Sequence, residues 1–265
     1  MKGYEQFIFL AGLSNDPMAE YSPAKNFIYN GALPSYLAYE AKKAGIKRFI
    51  YASSCSVYGY TMDKLFDENS PVICSYPYGI TKLQGERGVM QLEDKDFSVI
   101  ALRQGTVSGY SPRMRFDLIV NTMFKTAMTT GQITVNNPSI WRPILDIRDA
   151  VNMYKKAIEA NYSISGVFNV TSENKTVGEV AEIIQLEIEK SSDKKISVKI
   201  NNVQDFRNYK VSFDKAKEVL GYIPQYTIKD IVKEVFEHIN KYGDFSSNLL
   251  YNINTFKEID AKKII

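Results

Sequence analysis

Three short apolar runs constrain the fold of this chain most: "FIFL" at residues 7–10, "KRFIYASS" at 47–54 and "FSVIALRQ" at 97–104. Each is too short for a globular helix and is dominated by aromatic and aliphatic residues. Runs of this kind read as strands covered on both faces. Between them lie helix-length stretches. "NFIYNGALPSYLAYEAKKAG" ends at Gly45 with lysines in its last turn, and such residues satisfy and complement the free carbonyls of a helix C-terminus. Strand–helix alternation with short buried strands predicts an α/β fold, a parallel sheet with helices on its faces.

The texture changes near residue 110. "ITVNNPSIWRPILDIRDAVNMYKKAIEA" reads as a strand, a turn and a long helix. "GVFNVTSENKTVGEVAEIIQLEIEK" reads as a strand followed by a helix opened by a Thr176–Glu179 capping box. "KKISVKI" is a further strand, and "VSFDKAKEVLGYIP" a short helix that stops at Gly221. The expected division is residues 1–110 for a sheet-bearing catalytic part and 111–243 for a smaller mixed α/β lobe with returning core elements. A polar, weakly patterned tail follows at 244–265.

The 33 basic and 30 acidic side chains are dispersed, giving +3 with no basic stripe, which offers no argument for nucleic acid. No apolar run approaches the roughly 18 residues of a membrane span. Cys55 and Cys74 lack framework spacing and, with no signal peptide, suggest a cytoplasmic protein. The single histidine, His238, sits in an amphipathic helical pattern, and no Cys/His cluster exists, so neither a zinc site nor a Ser-His-Asp triad is expected.

"YGITK" places Tyr78 and Lys82 four apart in a helical segment. The spacing alone is weak: among 18 tyrosines, Tyr21/Lys25, Tyr39/Lys43 and Tyr60/Lys64 match it equally. Context separates Tyr78. It follows "YASSCSVYG", a strand ending in serines, and open parallel sheets carry functional groups at the carboxyl ends of their strands. A free phenol has a pKa near ~10 and is a poor base at neutral pH. An adjacent ammonium favours the phenolate, and lowering the pKa by about 3 units needs about 4 kcal/mol. Ser54 then positions the reacting hydroxyl by hydrogen bonding.

In order along the chain stand "FLAGLSNDP", Asn30, "SSCSVYG", "YGITK", "LRQGTVSG", "WRPILDIRDAV", "FNVTSENKTVGEVA" and "LGYIPQYTI". With these, the chain resembles an extended short-chain dehydrogenase/reductase, specifically the NAD-dependent sugar-nucleotide epimerase/dehydratase family, over about residues 5 to 240. The resemblance implies a Rossmann-like sheet with a substrate lobe, NAD or NADP as cofactor and a nucleotide-sugar as substrate. Carried over by position, Tyr78 is the catalytic base, Lys82 its ribose-binding partner and Ser54 the catalytic hydroxyl. Ala11, Gly12 and Ser53 line the cofactor, and Phe9 replaces the family's usual histidine. Asn121, Arg142 and Arg207 match positions that hold the nucleotide diphosphate, where guanidinium forks suit phosphate. Arg113 and Arg115 in "SPRMR" read equally as substrate-facing or as an ordinary basic loop, and Asp149 reads as structural. A homodimer through helices around residues 27–44 and 76–92 is the family's habit.

The reaction narrows on one detail. Dehydratases of the family carry an Asp-Glu pair after the catalytic hydroxyl, and here those places hold Cys55 and Ser56. The turn resembles that of UDP-glucose 4-epimerase-like proteins, which implies 4-epimerisation through a 4-keto sugar. A 4-keto-sugar reductase needs the same three residues. The family's Gly-x-x-Gly-x-x-Gly turn, which seats the cofactor pyrophosphate on a helix N-terminus, has no match among the 15 glycines. The expectation is a chain lacking about 60 to 70 residues of the family's leading βαβ units, with an open edge at the Phe7–Leu10 strand and weak NAD binding on its own. A complementing N-terminal fragment, or a non-catalytic remnant that binds nucleotide-sugar or a partner, are the corresponding alternatives.

Overall fold

The computed structural model describes residues 3–201, 207–242 and 244–262, apart from the side chains of 61–63. The chain opens with β1 (Gln6–Phe9), α1 (Asp16–Tyr21), α2 (Pro23–Asn26) and α3 (Leu33–Lys43), the last two joined by a π-helical turn at Phe27–Ala32. β2 (Arg48–Ser54), a 3-10 turn at Cys55–Tyr58, β3 (Tyr60–Phe66), α4 (Pro77–Met90), β4 (Ser98–Gln104) and β5 (Thr106–Ser108) follow. Next come α5 (Ile119–Thr130), β6 (Gln132–Asn136), β7 (Trp141–Asp146), α6 (Ile147–Glu159), β8 (Gly166–Val170), β9 (Glu173–Thr176) and α7 (Val177–Ser191). The chain closes with β10 (Ser197–Asn201), β11 (Asn208–Val211), α8 (Asp214–Leu220), α9 (Ile228–Glu237) and α10 (Asn252–Ala261).

The predicted parallel sheet is present, in the order β1-β2-β4-β8 with every neighbouring pair parallel. β2 and β4 are buried along their length until their last residues, Ser54 and Gln104, which lie in register. Alternate residues serve two cores. Phe49, Tyr51, Val99 and Ala101 pack with Ala38, Ala41 and Val89 of α3 and α4. Ile50, Ile100 and Leu102 pack with Met153 and Leu220 of α6 and α8. β1 has one neighbour among the described residues, and Ile8 and Leu10 beside it are exposed.

The helix entering α3 shows how a proline shapes the site. Pro34 has no N–H, so the Asn30 carbonyl loses its α-helical donor. The helix widens there into a single π turn, and the Tyr51 hydroxyl donates to Asn30 O at 3.1 Å. Helix α4 crosses at this point. A Cβ on Gly85 would stand 2.2 Å from Asn30 O and 2.5 Å from the Tyr51 hydroxyl. Gly85→Ala is therefore expected to lose about 1–3 kcal/mol by overpacking, read as a lowered thermal midpoint. Gly88 is the second close approach of α4 to α3: a Cβ there would stand 1.9 Å from the Ser35 hydroxyl oxygen and 2.9 Å from the Ser35 Cβ, and rotation about χ1 moves only the first.

A further core gathers Phe116, Phe124, Ile133, Val180, Ile184, Ile231 and Val235. The Thr176–Glu179 capping box forms reciprocally, and α8 stops at Gly221 with φ +64°. Four strands escaped the sequence reading. β7 contains Pro143, a residue that argues against a strand, yet it pairs with both β5 and β9. β9, "ENKT", is wholly polar, and β3 and β11 form a two-stranded sheet with each other among the described residues. The tail, expected to be weakly patterned, carries α10, whose Phe256 is buried against Leu13 and Met18. One aromatic anchor gives no periodic signal. No helix among the described residues is long and apolar enough to cross a membrane.

Candidate active site

Tyr78, Lys82 and Glu86 recur every four residues on one face of α4, so they point together toward the carboxyl ends of β2 and β4. Ser54 ends β2 and caps the 3-10 turn, its Oγ accepting from the Ser56 N–H at 3.2 Å and the Ser56 hydroxyl at 2.9 Å. Ser54 also lies close enough to the Tyr78 phenol to draw its pKa down. The structure thus brings the three predicted catalytic residues to one sheet edge. The competing Tyr/Lys pairs lie elsewhere. Tyr21 and Lys25 both hold Asp260 of α10, Lys43 pairs with Glu40 on an exposed surface, and Tyr60 and Lys64 are in β3.

The electrostatics of the pair differ from the simple expectation of an ammonium lowering a phenol. Burial dominates and pushes Tyr78 up to about 12, against smaller opposing contributions from Ser54 and Arg115. Lys82 is 5 % exposed, and burial pulls its ammonium down to about 7, partly offset by Glu86. Its Nζ lies 4.5 Å from the centre of the Tyr51 ring and has no ion pair among the described residues. Both groups sit where their charged forms lack solvation, so each favours its neutral form.

Beneath them is a buried network absent from the sequence reading. The Glu86 carboxylate accepts from Arg103 Nε at 2.9 Å, Arg103 Nη2 at 2.6 Å and the Ser53 hydroxyl at 2.6 Å. Arg103 Nη1 donates to the Tyr58 hydroxyl at 2.8 Å, which donates to Asn169 Oδ1 at 2.8 Å. Burial alone would lower the Arg103 pKa, but Glu86 and Tyr58 outweigh it and raise it. Ser53, a predicted cofactor contact, therefore spends its hydroxyl on Glu86. Ala11 and Gly12 lie exposed in the loop after β1, with Gly12 at φ +135° and a Cβ there meeting Asn30 Oδ1 at 2.1 Å. That Oδ1 is buried and accepts no hydrogen bond among the described residues. The spacing Lys82–Glu86 was the available signal for the network, and only the fold shows that Arg103 on β4 faces it.

Two of the three predicted diphosphate residues meet. Arg142 Nη1 donates to the Arg207 carbonyl, and its guanidinium lies over the Tyr209 ring at 5.5 Å. Arg207 pairs with Asp16 at 3.0 Å and covers the Tyr76 ring at 5.0 Å. Asp16 Oδ1 also accepts from the Tyr78 N–H at 3.3 Å, which ties this cluster to the first turn of α4. Asn121 is buried on α5, its amide donating to Arg115 O at 2.9 Å. The "SPRMR" loop divides: Arg113 holds Asn252 and Thr255 of α10, while Arg115 pairs with Asp117 and acts electrostatically on Tyr78. Asp149 accepts from Ser172 and from the Gln225 and Tyr226 N–H groups, a structural clamp. His238 stacks on Tyr110 at the end of α9, and no metal-binding group of three or more His, Cys, Asp or Glu occurs among the described residues.

Comparison with known proteins gives the same picture. The model of the NAD dependent epimerase/dehydratase family matches residues 1–171. An uncharacterized UDP-glucose epimerase, YtcB of Bacillus subtilis, is 27 % identical over 194 residues, covering 71 % of this chain and 59 % of that protein. Human dTDP-D-glucose 4,6-dehydratase is 25 % identical over 204 residues, 74 % of this chain and 57 % of its own length. The chain thus spans under three fifths of the length of these curated relatives. Among solved structures, UDP-glucuronic acid 4-epimerase from Bacillus cereus with UDP-glucuronic acid and NAD superposes with TM-score 0.77 at 22 % identity, over 89 % of this chain and 76 % of that one. MoeE5 with the same two ligands gives TM-score 0.78 at 22 % identity, over 90 % and 80 %.

Proposed function

Because this chain belongs to the NAD-dependent epimerase/dehydratase family, we propose that it acts on a nucleotide-sugar, inverting a sugar carbon bearing a hydroxyl, most simply C4, through a keto intermediate. The observation that carries the proposal is Ser54, Tyr78 and Lys82 at one sheet edge, with Ser54 followed in the turn by Cys55 and Ser56, neither of them a carboxylate. Bound NAD supplies the hydride acceptor and then the hydride donor. Two features suit its nicotinamide ribose: a buried Lys82 ammonium without an ion pair among the described residues, and the undonated Asn30 Oδ1. The glycine-rich turn that would seat its pyrophosphate is not in the sequence.

Tyr78 takes the hydroxyl proton as the hydride leaves the same carbon, and the C–O bond becomes a carbonyl. Ser54 holds the oxygen in line with the phenol. After the keto sugar turns over, hydride adds to its other face and Tyr78 returns the proton. Water elimination needs an acid/base pair for C5 and C6. Cys55 cannot serve, since its thiol is buried, donates to Arg103 O at 3.0 Å and is pushed to a higher pKa by that burial.

The test is incubation with NAD and UDP-hexoses in deuterated water. Interconversion at C4 with no deuterium gained at carbon is expected, because the hydride leaves and returns to one carbon. Deuterium at C5 would indicate elimination instead and overturn the proposal. Arg142→Ala is expected to weaken UDP binding about tenfold, the scale of one charge-assisted hydrogen bond, measured by calorimetry. UDP-sugar binding without NAD-dependent turnover would favour the binding-protein reading.

A further inference from the structure

We propose that Arg103 is a positioning residue for Lys82: by holding Glu86 in a two-pronged grip with Ser53, it keeps off the lysine the one carboxylate near it among the described residues, so that Lys82 lies against Tyr51 on the face it shares with Tyr78 without an ion pair among those residues. This deepens the proposed function and rests on it for what Lys82 does, but the placement is independent of turnover.

Glu86 lies one helical turn from Lys82, the spacing at which an acid and a base on a helix ordinarily pair. Here they do not. Both Glu86 oxygens are committed, Oε2 to Arg103 Nε and the Ser53 hydroxyl, Oε1 to Arg103 Nη2. The three partners come from three elements, β2, β4 and α4, and all are at least 95 % buried. Arg103 is itself anchored by Tyr58, whose ring its guanidinium also covers at 5.0 Å. A guanidinium satisfies a carboxylate bidentately, which a lysine ammonium cannot match, so Glu86 prefers Arg103. Tyrosines surround this site among the described residues: Tyr51 of β2, whose ring lies under Lys82 Nζ, Tyr78 of α4, and Tyr154 of α6, which is in electrostatic reach of the other two. Asp16 of α1 touches α4 only at the Tyr78 N–H and turns its other oxygen to Arg207. Among the described residues, no other carboxylate acts on the lysine.

The consequence is a switch in the lysine's proton affinity. If Arg103 releases Glu86, the carboxylate turns to Lys82, the ammonium gains a partner, and the pH at which it deprotonates rises. If Glu86 is neutralised instead, Arg103 remains as an uncompensated cation and that pH falls.

The experiment is pH-dependent acylation of Lys82 in the full chain, quantified by mass spectrometry, with circular dichroism confirming the fold. In the unaltered protein the labelling midpoint is expected near neutrality. Arg103→Gln is expected to raise it by about one unit or more, a tenfold slower labelling at pH 8. Glu86→Gln is expected to lower it. Arg103→Lys, which keeps the buried cation and so preserves folding where Arg103→Gln does not, shifts the midpoint in the same upward direction by less. A merely structural network would lower thermal stability in all variants without moving the midpoint in opposite directions. Midpoints for Arg103→Lys and Glu86→Gln that coincide with the unaltered protein, or that move together, overturn the proposal, whether or not the chain turns over a sugar.

Discussion

Replacing Tyr78 by phenylalanine is expected to lower kcat for the inversion of a UDP-hexose by about 10²- to 10⁴-fold, the range for loss of a positioned general acid/base, with UDP affinity unchanged. The selectivity follows from where the hydroxyl is. It lies beside Ser54 at the end of β2, whereas the arginine cluster meets α4 through its backbone at the Tyr78 N–H and through the Tyr76 ring. Phenylalanine keeps the ring and the helix and removes only the proton carrier. The pH profile gives a second reading. Burial holds Tyr78 near 12 in the protein alone, so at neutral pH the phenol is protonated and the active base form grows as pH rises. Activity should climb through the alkaline range, and the phenylalanine variant should lose that climb. A variant that retains a tenth or more of the original kcat at saturating sugar and NAD would remove Tyr78 from the role.

Arg103→Met is expected to destabilise the fold by about 3–5 kcal/mol, because the buried Glu86 carboxylate loses both guanidinium bonds, and the single ammonium of Lys82 to which it turns cannot reproduce that two-pronged grip. In a chain of this size that corresponds to a fall of about 6–20 °C in Tm. The double variant Arg103→Met/Glu86→Met should recover most of the loss, since two apolar side chains of similar volume avoid the desolvation of both charges. The pair is 6 % and 3 % exposed, so solvent screening offers little relief to whichever charge is left alone. Thermal unfolding of the two variants decides the matter: equal losses in single and double variants would show that packing, not the unpaired charge, sets the cost.

Much of this molecule was legible before any coordinates. β2 and β4 announce themselves because burial on both faces demands continuous apolar runs, and Ser54 follows as the residue where that run ends. The Thr176–Glu179 capping box and the Gly221 stop are local chemistry, readable within four residues. Residues such as Glu173 to Thr176 were not, because a short polar strand gains its stability from neighbours, here β7, rather than from its own pattern. Phe256 likewise buries against Leu13 and Met18, far away in sequence.

What the sequence determined by itself was the class of fold, the family and the trio Ser54, Tyr78 and Lys82, since periodicity and short motifs encode local geometry and helical faces. What only the tertiary structure decided was the electrical state of that trio. Whether Lys82 has a counter-ion depends on which cation Glu86 chooses, and Arg103 reaches it from a different strand. Burial and long-range pairing set proton affinities, and neither is written in the spacing of "YGITK".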